Sequence, residues 1–177
     1  MTLYFYRLMG AAMLDRGAFE NVEADPRMTL QAAMTVLAAS LAAGVGSLGW
    51  SREVVASAAA MSAVALVAWV AWAMLTYQIG ARLLPEPQTQ VTLGQMLRTV
   101  GFAAAPGLLL VFAIFPRMTR LVFLAAFVWM FAAMVVGVRQ ALDYTSTVRA
   151  LAVCAAAAGL AASLAVVTGL LFGPVVH

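Results

Sequence analysis

Five long apolar stretches dominate this chain, at about 26–48, 52–84, 93–115, 118–143 and 146–172. Each can cross the ~30 Å hydrocarbon core of a bilayer as a helix rising ~1.5 Å per residue. In lipid, a chain must satisfy its backbone polar groups internally, which leaves helices or closed barrels. Apolar runs of this length read as transmembrane helices. The expected fold is therefore an all-α integral membrane protein with five transmembrane helices. An interfacial amphipathic helix is expected ahead of them.

Composition agrees. Of the 177 residues, 65% are apolar and only 10% are Asp, Glu, Lys or Arg. A soluble domain of this size has about 25% charged residues and too little interior to hide so much apolar surface. The net charge of +3 is dispersed, with no basic run of the kind that binds nucleic acid. One cysteine, Cys154, and one histidine, His177, supply neither a disulfide nor a metal-ligand set. No cofactor is expected.

Residues 1–25 form a cytoplasmic or interfacial segment, and 26–177 the five-helix domain. Leu3, Tyr4, Phe5, Tyr6, Leu8 and Met9 surround Arg7 in a run too short to span. It suits a helix lying at headgroup depth. From Asp15 to Arg27 the chain reads either as a solvated linker or as a short helix. The helix would put Phe19 and Val22 on one face and Glu20 and Glu23 on another.

Asp25-Pro26 is a start signal for the first span, Asp as cap and Pro at the first helical position. Ala38, Ala42 and Gly46 recur every fourth residue and predict a close-packed face. Trp50 is placed as an interface anchor and Ser51 as the cap of the second span. That span is longer than a crossing needs and is expected to tilt or project. Thr92-Leu93-Gly94-Gln95 has the spacing of a capping box. Pro116 ends the third span and Gly173-Pro174 the fifth.

The third stretch is expected to be the central, broken helix. Arg98 opens it, and Gly101, Ala103, Ala104 and Ala105 leave room for neighbours. Pro106 lacks an amide hydrogen, so the carbonyl of Phe102 loses its helical partner. The break at Gly101 and Pro106 is either a packing kink or the edge of a binding site. The strictly apolar part, 100–115, is short for a bilayer.

With five spans, Arg7, Arg16, Arg27, Arg82, Arg98, Arg139 and Arg149 share the N-terminal side, against Arg52, Arg117 and Arg120 opposite. Positive charge marks the cytoplasmic side, so the N-terminus is expected inside and the C-terminus outside a prokaryotic cytoplasmic membrane. Most acids fall on that inner side too. Arg98 and Arg139 stand at helix ends, where an unpaired charge beside lipid is costly. Glu20, Glu23 and Asp143 are expected to give them carboxylates in a charge seam, Arg139 and Asp143 being four apart. The alternative is that each side chain snorkels into water alone.

Three motifs in order, Ala18-Phe19-Glu20-Asn21-Val22-Glu23-Ala24-Asp25-Pro26, Arg98-Thr99-Val100-Gly101-Phe102-Ala103-Ala104-Ala105-Pro106 and Arg139-Gln140-Ala141-Leu142-Asp143-Tyr144, resemble prokaryotic members of the Yip domain family. These are five-span proteins named for interaction with Rab-type GTPases. The resemblance implies a cytosolic N-terminus, binding of other membrane proteins, and no catalytic residues. Eukaryotic relatives use a long cytosolic N-terminal region to bind small GTPases. About 25 residues precede the first span here, so that activity is not expected to carry over.

The function expected is therefore non-enzymatic. The chain would bind other integral membrane proteins as an accessory or scaffold subunit of a larger assembly, or as a membrane-organising factor. A small transporter or channel using the Pro106 break is the alternative, weakened by the scarcity of mid-membrane polar groups. Headgroup binding by Arg16, Arg27, Arg98 and Arg149 at the inner leaflet is compatible with the first reading. Glu20, Glu23 or Asp143 acting as acid or base, without His, Cys or metal, is a weak enzyme reading.

Overall fold

A computed structural model describes residues 2–48, 52–115 and 117–172. The expectations for Trp50, Ser51, Pro116, Gly173, Pro174 and His177 lie outside the described residues. Two short helices, α1 (Thr2–Ala12) and α2 (Arg16–Ala24), precede α3 (Met28–Leu48) and α4 (Arg52–Tyr77). α4 runs into a π-helical turn, Gln78–Leu83. Then come α5 (Leu93–Phe102), a 3-10 helix (Ala105–Ile114), α6 (Thr119–Ala141) and α7 (Thr147–Phe172). Five helical stretches are long and apolar enough to cross a membrane.

The third of these is central. Of its apolar window, 61% is buried, against 11–39% for the other four. It packs on α3, α4, α6 and both N-terminal helices, whereas among the described residues α7 packs on α6, α4 and the π turn. The break falls where expected. The backbone step changes at Ala104, whose amide bonds back three residues to the Gly101 carbonyl. Pro106 enters at the start of the 3-10 helix, where its missing amide costs least.

The 3-10 helix also explains how so short an apolar segment spans. It rises ~2.0 Å per residue against ~1.5 Å in an α-helix, so its ten residues gain about 5 Å. The bilayer therefore need not thin locally around it.

Small residues set the distance between α3 and the third span, in a register different from the strict four-residue repeat. The buried positions on α3 are Met28, Ala32, Thr35, Val36, Ala39, Ala42, Gly44 and Gly46, and the stripe Met28, Ala32, Thr35, Ala39, Ala42 and Gly46 alternates steps of four and three. Ala38 is only half-buried. A Cβ on Gly101 would lie 2.7 Å from that of Ala32, and one on Gly46 would lie 2.0 Å from the Leu110 carbonyl oxygen. The helix period of 3.6 makes the contact stripe alternate, since a strict repeat of four drifts round the helix.

Local signals at helix starts behave as the sequence predicts. Asp25 accepts the Arg27 amide at 3.0 Å, the bond of a capping aspartate, with Pro26 between them. Thr92 and Gln95 complete the capping box, each side chain bonding the other's amide. The segment 15–27 resolves as a helix: Asp15 caps α2 through the Gly17 amide. Phe19 and Val22 are fully buried, while Glu20 is exposed.

α1 and α2 form a hairpin docked on the spans. Phe19 sits over Gly137 of α6, beside Thr99 of α5. Tyr4 shares a 3.1 Å hydrogen bond with the buried Thr35 hydroxyl, and the Trp129 indole donates to the Ala12 carbonyl at 2.6 Å. The outer face of α1, with Leu3, Phe5, Tyr6 and Met9, is exposed and apolar, as an interfacial helix requires, and Met13 just beyond it is exposed too.

Candidate functional site

The polar end of the bundle gathers the start of α3, the π turn, the start of α5, the end of α6 and the start of α7. Arg98 is buried there, at 7% exposure. Its guanidinium does not take a carboxylate. Nε donates to the carbonyls of Val22 at 3.2 Å and Glu23 at 3.1 Å, and Nη2 also donates to Glu23. These carbonyls belong to the last turn of α2, where four backbone acceptors lack intrahelical partners and the dipole is negative. Arg98 therefore caps α2 from another helix.

Arg139 behaves similarly. It donates to the Tyr144 and Thr145 carbonyls and the Thr147 hydroxyl, at 3.1, 2.8 and 2.8 Å. Asp143 lies beyond the end of α6 in left-handed conformation, φ 52°, so it cannot lie along a helical face with Arg139. The carboxylate seam expected of Glu20, Glu23 and Asp143 with Arg98 and Arg139 is thus corrected: both arginines serve helix ends and turn carbonyls. Among the described residues, the ion pairs are Arg7–Asp25 at 3.4 Å and Arg149–Glu86 at 3.1 Å. The sequence reading missed both. Arg7 is itself buried, so its proximity to an acid in the fold was the signal to seek.

The second pair belongs to a clasp between loops. Glu86 accepts the Thr145 amide at 3.1 Å as well as the Arg149 guanidinium. Those donors, the Thr145 amide foremost, hold the Glu86 carboxyl below its ordinary pKa. The Thr89 hydroxyl donates to the Leu142 carbonyl at 2.8 Å. The Tyr144 hydroxyl lies 2.9 Å from the Gly80 carbonyl and 2.7 Å from that of Leu84, sharing one proton between them. Both acceptors belong to the π turn or its end. This explains why α4 stops at Tyr77 rather than continuing as α-helix to residue 84. A wide turn presents carbonyls that an α-turn would keep for itself.

Glu23 carries the largest perturbation at this end. Its carboxyl is pushed from the ordinary 4.5 up to about 7, first by burial and then by the negative charge of Asp143. Its carboxylate accepts the Gln95 side-chain amide at 2.9 Å. Between pH 4.5 and 7 the folded protein holds a proton that the unfolded chain has released. Stability should therefore fall as pH rises through this window, and stay at the lower level above it. Thermal unfolding at pH 5 and pH 8 should show this loss in the wild type, and a flatter response in Glu23→Gln.

A cleft of about 220 Å3 opens beside these groups, lined by Arg16, Val136, Arg139, Gln140, Asp143 and Tyr144. Among the described residues no group of three or more His, Cys, Asp or Glu side chains is placed to hold a metal ion. Cys154 is buried within α7, and Gly101 and Pro106 are buried at the break. A family model, the Yip1 domain, matches residues 13–170, nearly the whole chain.

This chain belongs to the Yip1 domain family.

The Yip1 match takes in α2, all five spans and both loops of the clasp, so the polar end described above lies inside the family domain. Searches of curated proteins and of solved structures found no match. As a Yip1-domain chain with five apolar spanning helices, it is a multi-pass membrane protein.

Proposed function

We propose that this Yip1-domain protein is a non-enzymatic membrane component that binds helices of other integral membrane proteins, as an accessory or organising subunit. One observation carries the reading. α7 presents Ala152, Ala156, Gly159 and Ser163 on an exposed face, at spacings of four, three and four. Among the described residues, nothing lies within 4 Å of a Cβ built on Gly159. In lipid, association comes from close backbone approach and packing, which small residues allow. The stripes on α3 and the third span are used inside the bundle; this one is exposed among the described residues.

The distribution of arginine supports a prokaryotic cytoplasmic membrane with the N-terminus inside. Tight packing at the break favours this reading over transport: a Cβ on Gly107 would meet Ala39 and Met130 at 3.0 Å, which suits a kink filled by neighbours. The test is Gly159→Leu in protein extracted gently from native membranes. The wild type should carry a companion membrane protein in native mass measurement. The variant should lose it while keeping its melting temperature. A wild type that emerges alone, or a variant that keeps its companion, would sink the reading.

A further inference from the structure

The cleft at the end of α6 holds charges of both signs that the protein leaves unpaired. Arg16, in the first turn of α2, and Asp143, in the turn after α6, line it together without forming an ion pair. Neither side chain has a hydrogen-bond partner among the described residues, and the same holds for the Gln140 amide. Arg139 uses one hydrogen on each of its three nitrogens for turn carbonyls and a hydroxyl, which leaves one free on each terminal nitrogen. Opposite charges held apart across about 220 Å3 fit a ligand that is itself a zwitterion.

We propose that this cleft binds a phospholipid headgroup carrying a phosphate and a primary ammonium, as in phosphatidylethanolamine. The phosphate lies between Arg16, Arg139 and the Gln140 amide, where guanidinium donors suit its oxygens. The ammonium lies on Asp143, close to Glu23, whose carboxyl feels the Asp143 charge. A primary ammonium donates hydrogen bonds to a carboxylate. A quaternary one has none to give and prefers aromatic faces, and the one aromatic lining residue, Tyr144, is 4% exposed. A lipid is the source because the cleft sits where α6 leaves its apolar span, with Val136 at its deeper side. This inference does not depend on the helix-binding stripe.

The experiment uses the full chain in detergent with short-chain lipids added, and native mass spectrometry as readout. The wild type should retain dioctanoyl phosphatidylethanolamine roughly tenfold more than the phosphatidylcholine or phosphatidylglycerol analogue, as one well-formed charged contact allows. Asp143→Asn should abolish the preference over phosphatidylglycerol, and asparagine tolerates the left-handed backbone there. Arg16→Gln should weaken retention of all three lipids. Equal retention of the three by the wild type overturns the proposal, as does an unchanged preference in Asp143→Asn. Competition by soluble phosphoethanolamine as strong as that of the lipid overturns the membrane source.

Discussion

Replacing Arg98 with alanine should destabilise this protein by about 3–5 kcal/mol, the largest loss expected from any single side chain at the polar end. The substitution removes charged donors from two α2 carbonyls and leaves those acceptors buried without partners. It also empties space at a position 7% exposed. Losing the anchor should release α2, so a protease should cut between α2 and α3 in Arg98→Ala and not in the wild type. Arg98→Lys keeps the charge but presents it as a point rather than a fork, and should recover only part of the loss. Arg117→Ala, on an exposed side chain, is the control and should change stability by less than ~0.5 kcal/mol. Equal melting temperatures for Arg98→Ala and Arg117→Ala would falsify the anchoring role.

Gly46→Ala should be the most damaging substitution of a single methyl group. The added carbon would stand 2.0 Å from the Leu110 carbonyl oxygen, a backbone atom, and 3.0 Å from the Ala113 Cβ. No side-chain rotation relieves this, so α3 and the 3-10 helix must move apart. Overpacking costs about 1–3 kcal/mol where side chains can adjust. With backbone on one side of the contact, the loss should reach or exceed the upper figure. The same change at Gly44, which has nothing within 4 Å among the described residues, should be neutral or slightly stabilising, since alanine favours helix. Thermal unfolding of the two variants side by side checks this, and similar midpoints would contradict it.

The five crossings were legible in the sequence because hydropathy averages over eighteen or more residues and needs no tertiary information. The caps at Asp25 and Thr92 were legible because both partners of each bond lie within three residues. The choice between linker and helix at 15–27 turned on Phe19 and Val22, whose spacing was visible but whose burial site, over Gly137, was not. Two features escaped for one reason: each depends on a partner distant in the chain. Arg98 meets carbonyls 75 and 76 residues away, and the π turn answers to a hydroxyl 60 and 64 residues away. A guanidinium near acids suggests carboxylates, because charge is written in the sequence while the orphan carbonyls of a helix end are not. The seam failed on that asymmetry.

The 3-10 segment has one further consequence. A coil with three residues per turn stacks its side chains in straight columns, where an α-helix winds them into an oblique stripe. Gly107, Leu110 and Ala113 form one such column, and contacts from it to Ala39 and Gly46 fall along α3. Phe112, from another column, is exposed. Tolerance to substitution between 105 and 114 should therefore beat in triplets, out of phase with the rest of the bundle: a rhythm that marks this edge as a straight rail against which the first span lies flush.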